Sequence, residues 1–154
     1  MKNPKIPFII VILCIGQYIN QGISDLPSQC LYYLTRESWH LTTSMLGFIS
    51  FITAIAWYIK PFWGFIADKI DNVKLLLLSS YILLIILYII IIIYGLNLYT
   101  LIITGIFINL CIGLADTTVD KEMVKAEQKY NLKSRLQSIQ WIALGIAGLI
   151  SSMG

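Results

Sequence analysis

The chain has 154 residues, of which 58% are apolar and only 12% are charged, and its formal net charge is +3. Soluble globular domains are about 25% charged, so a chain with half that fraction lacks the polar surface needed to face water on all sides. Intrinsic disorder is excluded as well, because aliphatic and aromatic residues dominate. The composition therefore predicts an integral membrane protein that contacts the lipid bilayer.

Five apolar segments are long enough to cross a bilayer as helices, which takes about 20 residues each. No charge occurs between Leu75 and Ala115, a stretch too long for one helix, and the residues from Tyr94 to Asn97 provide the turn chemistry that divides it. We expect an all-α membrane protein that forms a single partial transmembrane domain. Its approximate helices are 6–24, 43–66, 73–94, 98–119 and 136–154.

The basic side chains outside the spans are distributed unequally between the two sides of the membrane. If the chain crosses alternately, Arg36 is alone on one side. The other side carries Lys2, Lys5, Lys69, Lys74, Lys121, Lys125, Lys129, Lys133 and Arg135. Because cytoplasmic loops carry an excess of Lys and Arg, we expect a multi-pass protein of the cell membrane with a cytoplasmic amino terminus and with loop 25–41 outside. The net charge then reflects topology, and no nucleic-acid partner is expected.

Polar and small side chains recur on one face of four of the five predicted helices. Their spacing of three or four residues forms stripes, which should face other helices or a watery cavity. The stripes are Gln17, Asn20, Gln21 and Ser24; Ser50, Ala54, Trp57, Lys60 or Pro61, Gly64 and Asp68; Asn109, Gly113, Asp116 and Asp120; and Gln137, Gln140, Trp141, Gly148 and Ser151. Ala143, Ala147 and Ser151 form a row that would let a neighbouring backbone approach closely. Residues 75–93 have no polar side and are expected to face lipid. A transport cavity and simple hydrogen bonding between helices both fit the amides and serines.

The charged residues within or at the ends of the spans favour a cavity. Lys60 stands about 12 Å of helix inside the Asp68 end of its span, where a lysine costs roughly 2.5–3.5 kcal/mol unless it snorkels. Pro61 favours a kink, because proline has no N–H to bond the carbonyl of residue 57. Asp116 and Asp120 lie one turn apart. They are candidates to bind a cation or proton, to pair with Lys60, or to contact surface lysines.

Nothing in the sequence points to catalysis. It contains no nucleophile–base pair, phosphate-binding loop or metal-ligand motif. Cys14, Cys30 and Cys111 form no CxxC pattern, and His40 is the only histidine. We therefore expect no enzyme activity, no catalytic residue, no metal and no cofactor.

The segment that follows the second predicted helix resembles a loop of the major facilitator superfamily. Gly64, Asp68 and Lys69, followed by Lys74, resemble its Gly-x-x-x-Asp-Arg/Lys motif between helices two and three. In that motif the glycine permits close packing, and the charges form a network that is remade during transport. Residues 70–73 depart from the pattern, and Asn72 with the preceding aspartate predicts an N-cap for the next helix instead.

A narrower resemblance is to the folate–biopterin transporters within that superfamily. The run Trp57-x-x-Lys60-Pro61-x-x-Gly64 resembles their signature, with Ala56 where proline is common. Similar matches are Gln21-Gly22 with Leu26-Pro27, Asp116-x-x-x-Asp120 with Glu122, and Leu136-Gln137-Ser138 with Trp141. The resemblance covers most of this chain but only the amino-terminal part of a family member.

The resemblance implies secondary active, proton-coupled uptake of folate- or pterin-like small organic anions by alternating access. A cation in the cavity would attract the carboxylates of a folate. The candidates for substrate binding or coupling are Lys60, Asp116, Asp120, Gln17, Gln21, Asn109 and Trp57, and those for a conformational motif are Gly64, Asp68, Lys69 and Pro61. Two alternatives stay open. The first alternative is a small membrane scaffold or assembly subunit without transport activity of its own. The second is a major facilitator transporter of another substrate.

Alternating access in this superfamily needs two six-helix halves around a midplane site, whereas this sequence predicts four helices and most of a fifth. We therefore expect a longer transporter, whose remaining helices are partners of these. An immunoblot of source-cell membranes should detect a product about three times this length. A stable product of 154 residues would favour the scaffold alternative.

Overall fold

A computed structural model describes residues 8–132 and 134–152. Every regular element in those two ranges is helical. The elements are α1 (Phe8–Ile23), α2 (Ser28–Tyr33), a π-helical segment (Leu34–Ser38), α3 (Thr43–Tyr58), α4 (Lys60–Lys69), α5 (Val73–Tyr94), α6 (Leu98–Tyr130) and α7 (Arg135–Ser152). Outside the described residues lie Lys2, Lys5, Lys133, the start of the first predicted span at 6–7 and the end of the fifth at 153–154.

Four stretches of the described residues are long and apolar enough to cross a bilayer. They are Phe8–Ser38, Thr43–Lys69, Val73–Tyr94 and Leu98–Tyr130. The prediction of an all-α membrane protein is therefore confirmed. The helix α7 forms where the fifth span is predicted, but its arginine, glutamines, serines and glycines make it less apolar, and it is not one of the four.

The second predicted helix is two helices in the structure, α3 and α4, with a break at Ile59. Pro61 accounts for the break, because it has no N–H to continue the hydrogen bonds of α3. The carbonyl of Ile59 instead accepts from the N–H groups of Phe62 at 2.8 Å and Trp63 at 3.3 Å. Lys60 is consequently the first residue of α4, directly after the break.

Two other segments differ from the sequence prediction. Residues 25–41 contain α2 and the π-helical segment instead of a plain loop. The helix α6 continues past the predicted end near residue 119 as far as Tyr130. This extension is amphipathic, since Met123 and Ala126 are buried while Lys125 and Lys129 are exposed, and an amphipathic helix needs no lipid around it.

Side-chain caps define the turns on either side of α5. The Oδ1 atom of Asn72 accepts a hydrogen bond from the N–H of Leu75 at 3.1 Å, so the predicted N-cap is confirmed. Before α6, the side chains of Asn97 and Thr100 each accept from the other residue's N–H, at 3.0 and 2.9 Å. Gly95 in the same turn has φ +71°, a conformation that favours glycine. The long uncharged stretch therefore folds as a helical hairpin.

The chain forms two compact units, and one of them spans residues 33–118, with α3, α4, α5 and most of α6. In its core, Leu84 and Leu87 of α5 pack with Cys111 and Ile112 of α6, and Trp57 packs against them. Most other side chains of α5 are exposed, in agreement with a helix that faces lipid.

The other unit comprises residues 1–32 and 119–154, and within its described part α1 packs against α7. Ala143, Ala147 and Ser151 of α7 are all buried. Gly22 of α1 lies so close to Ala147 that a Cβ atom at position 22 would overlap the alanine Cβ. The prediction that this row admits a neighbouring backbone is thus confirmed, and that backbone is α1.

A side chain of α6 caps the start of α7 in the same unit. The Oε1 atom of Glu127 accepts hydrogen bonds from the N–H groups of Leu136 at 3.1 Å and Gln137 at 3.4 Å. Helix N-termini expose unpaired N–H groups and favour negative charge. Glu127 therefore stabilises α7 and ties it to the end of α6.

Gly22→Ala should lower the melting temperature of the protein purified in detergent, because the added methyl group overlaps Ala147. Overpacking of this kind costs about 1–3 kcal/mol. Gly16→Ala on the same helix is the matched control, since nothing lies within 4 Å of its Cβ position and alanine favours a helix. Equal melting temperatures for the two variants would contradict the close packing of α1 on α7.

Candidate functional site

Glycines of α6 allow α3 and α4 to lie close to it in the unit of residues 33–118. A Cβ atom at Gly105 would lie 3.0 Å from Cγ2 of Thr53 in α3. A Cβ atom at Gly113 would lie 3.5 Å from the indole ring of Trp63 in α4. Small residues at such contacts bring helix backbones close together in membranes. The polar side chains along this seam can therefore reach one another.

An ion pair between α4 and α6 is the most polar contact of the seam. The Nζ atom of Lys60 lies 2.5 Å from Oδ2 of Asp116. The carboxylate side chain is only 4% exposed, whereas that of the lysine is 38% exposed. The structure thus brings together two candidates that are 56 positions apart in the sequence, and the break at Ile59 sets the lysine at the start of α4.

The ion pair offsets the cost of burying the charged carboxylate of Asp116. Asp116 follows Ala115 on α6, and both are almost fully buried. An ionised carboxylate without a partner in such surroundings is very costly, so the lysine stabilises it. The pair is unequal, because an ammonium group has three N–H donors and Lys60 is only partly covered. A second anion can therefore approach the lysine while the aspartate stays enclosed.

Trp57 and Asn109 form a second polar contact between α3 and α6. The Nε1 atom of Trp57 donates a hydrogen bond to Oδ1 of Asn109 at 3.0 Å. The Nδ2 atom of Asn109 donates to the carbonyl oxygen of Gly105 at 2.9 Å. Both ends of the amide are bonded, which fixes its orientation. Asn109 lies roughly two helical turns before Asp116 on α6.

The candidates for a conformational motif are spread along α4. A Cβ atom at Gly64 would lie 3.9 Å from Cγ2 of Thr117, so the glycine belongs to the seam. Pro61 is exposed beside the break, and Asp68 and Lys69 are exposed at the far end of the helix. The structure does not bring Asp68 or Lys69 to the ion pair. Their part in a conformational change stays a prediction.

The remaining candidates lie in the unit of α1, α7 and the end of α6. The hydroxyl of Tyr18 donates a hydrogen bond to Oδ1 of Asp120 at 2.6 Å. Tyr18 and the neighbouring Gln17 are both buried, and Gln21 is half-buried. Sequence reasoning selected the aspartate and the two glutamines but missed Tyr18, because tyrosine is common at lipid-facing and interfacial positions. The available signal is its spacing, three residues before Gln21 on α1.

These arrangements are suited to binding an anion and moving a proton. Lys60 can bind a carboxylate, and Asp116 or Asp120 can take up a proton. Among the described residues, no group of three or more His, Cys, Asp and Glu side chains comes together in a way that could hold a metal ion.

Comparison with known sequences gives the family of this chain. A sequence profile of the BT1 family matches residues 21–153. The chain belongs to the BT1 family. The matched region includes the run from Trp57 to Gly64 and both partners of the Lys60–Asp116 pair.

A curated relative connects the family to transport. The chain is similar to Probable folate-biopterin transporter 4 of Arabidopsis thaliana, with 24% identity over 146 residues. The alignment covers 88% of this chain and 30% of the relative, so the chain spans about 30% of the length of the curated relative it matches. No solved structure matches the chain. The predicted resemblance to folate–biopterin transporters is confirmed, and with its candidate spans this BT1-family chain is a multi-pass integral membrane protein.

Tyr18→Phe should destabilise the protein, because the carboxylate of Asp120 loses its short hydrogen bond while the ring still fills its site. Hydrogen bonds to charged groups contribute about 1.5–3 kcal/mol. Tyr99→Phe is the matched control, since Tyr99 is 77% exposed. Thermal unfolding in detergent measures the difference, and a Tyr18 variant as stable as the Tyr99 variant would show that the hydrogen bond contributes nothing.

Proposed function

We propose that the protein is a secondary active transporter that takes up folate- or pterin-like small organic anions together with protons, by alternating access. The observation that carries this proposal is the Lys60–Asp116 ion pair, in which an almost fully buried carboxylate holds a partly exposed lysine within an apolar span. Membership of the BT1 family and the similarity to a probable folate-biopterin transporter support it.

Lys60 is the proposed binding site for a carboxylate of the substrate. Its side chain is 38% exposed, so an anion can approach the ammonium group. Breaking a buried ion pair is strongly unfavourable if one charge is left alone. A substrate carboxylate avoids that penalty for the lysine by replacing Asp116 as its partner. Substrate binding is thereby coupled to the release of α4 from α6, where the two helices are joined by the pair.

Asp116 is the proposed proton site. Without its lysine, the carboxylate would remain charged beside the buried residues Ala115 and Thr118. Protonation removes that charge and with it most of the desolvation cost. The organic anion and a proton therefore enter together, and the ion pair forms again after both have left.

We propose the cell membrane as the location, with the amino terminus in the cytoplasm. The support is the excess of basic residues on one side of the predicted spans, including the exposed Lys125 and Lys129 on the extension of α6. Uptake then runs from the side of residues 25–41 towards the side of this extension.

Lys60→Met in the full-length protein should abolish uptake of tritiated folic acid by cells that have no folate uptake of their own. Methionine has an unbranched side chain only one heavy atom shorter than that of lysine, but it lacks the cation that binds the substrate. The amount of protein in the membrane should be retained, because Asp116 can take up a proton and stay buried. Lys125→Met is the matched control with uptake retained, since Lys125 is half exposed and pairs with Glu122 at 3.2 Å.

A double variant, Lys60→Met with Asp116→Asn, separates folding from transport. Removing both charges leaves no unpaired ion, so the melting temperature should match that of the parent protein, while uptake should stay absent. Undiminished uptake by the Lys60→Met protein would defeat the proposal. Recovery of uptake in the double variant would show that the lysine only neutralises Asp116.

A further inference from the structure

Trp63 carries a buried hydrogen-bond donor that has no partner. Its indole Nε1 is shielded from solvent and makes no hydrogen bond. The indole of Trp57, by contrast, donates to Asn109 at 3.0 Å. A buried donor without an acceptor loses its hydrogen bond to water without gaining another, which is unfavourable, and such groups are rare in native proteins. A phenylalanine would fill much of the same space without an unpaired donor, so packing alone does not explain a tryptophan at this position.

The unpaired N–H lies beside the proposed substrate site. Trp63 stands three residues after Lys60 on α4, and residues at this spacing share a helix face. Its ring lies against Gly113 of α6, since a Cβ atom there would be 3.5 Å from Nε1. Gly113 in turn stands three residues before Asp116, the partner of Lys60. The donor and the ion pair therefore occupy the same part of the α4–α6 seam.

We propose that Trp63 is a second substrate-binding residue, whose indole N–H donates a hydrogen bond to a carboxylate oxygen of the organic anion held by Lys60. This inference rests on the proposed function. Opening of the seam exposes the donor at the moment when the lysine exchanges Asp116 for the substrate. The cost of the unpaired N–H in the closed state then disappears on binding, which favours the bound state.

Gly113 leaves space beside the indole N–H of Trp63. A methyl group at position 113 would be in ordinary van der Waals contact with Nε1, at 3.5 Å. The same methyl group would lie 3.5 Å from Cδ1 of the ring, so it would sit beside the Cδ1–Nε1 edge and narrow the approach to the N–H without a clash. The glycine is thus part of the proposed binding site and not only a packing residue.

Trp63→Phe in the full-length protein tests the inference, with tritiated folic acid uptake as the readout. Loss of a hydrogen bond to a charged group should raise KM about tenfold, and the maximal rate per membrane protein should be unchanged, because the bond is lost from the bound substrate. Trp39→Phe is the matched control and should leave KM unaltered, because Trp39 lies between the π-helical segment and α3 and belongs to neither helix of the seam. Removal of an unpaired donor should also leave the melting temperature unchanged or raise it.

Gly113→Ala is a second variant, which retains the tryptophan and decides the question if the Trp63 variant does not reach the membrane. It should raise KM to a similar extent with the maximal rate unchanged. Unaltered KM in these variants would overturn the inference, and so would a lower maximal rate at constant KM, which would indicate a role in conformational change instead. Absence of folic acid uptake by the unsubstituted protein would overturn the proposed function and this inference with it.

Discussion

The hydrocarbon interior of a bilayer offers no hydrogen bonds and almost no screening of charge, and this constraint gives the polar contacts between helices their importance. A polar side chain in a spanning helix is stable only when it meets another side chain or a backbone group. Several of these contacts join helices that are distant in sequence: Lys60 with Asp116, Trp57 with Asn109, and Tyr18 with Asp120. The helices α1, α3, α4 and α6 are therefore positioned by polar contacts as well as by apolar packing.

The ion pair depends on a local property of the backbone. Because Pro61 cannot donate a hydrogen bond, α3 ends before Lys60, and a new helix begins with the lysine. Asp116, by contrast, lies within a helix that has no break, since α6 is continuous from Leu98 to Tyr130. One partner of the pair thus stands at a helix end and the other within a long helix. The proposed exchange of ion partners uses this inequality, because the carboxylate would stay in place while the cation moves.

The glycines of α1 and α6 have different roles at the helix contacts. Gly22 and Gly105 lie against Ala147 and Thr53 respectively, where a larger residue would push neighbouring helices apart. Gly113 leaves room for a methyl group, and that room lies beside the ring edge that carries the unpaired indole N–H of Trp63. A substitution to alanine therefore changes packing at the first two positions and the access to a donor at the third. Distinguishing these roles requires the distances across each helix contact.

The sequence by itself determined the class of protein, four of its five predicted spans, the turn before α6 and the N-cap at Asn72, because hydropathy, turn chemistry and capping act over a few neighbouring residues. It also selected Lys60 and Asp116 as unusual, since a charged side chain within or at the end of an apolar segment is energetically costly and can be recognised from its position in the sequence. Only the tertiary structure decided which partners meet. Helical periodicity gives the face on which Asp116 and Asp120 lie, but their different contacts with Lys60 and Tyr18 depend on which helix packs against each stretch of α6. The continuation of α6 to Tyr130 and the unpaired N–H of Trp63 likewise depend on contacts between residues far apart in the chain, which no local pattern records.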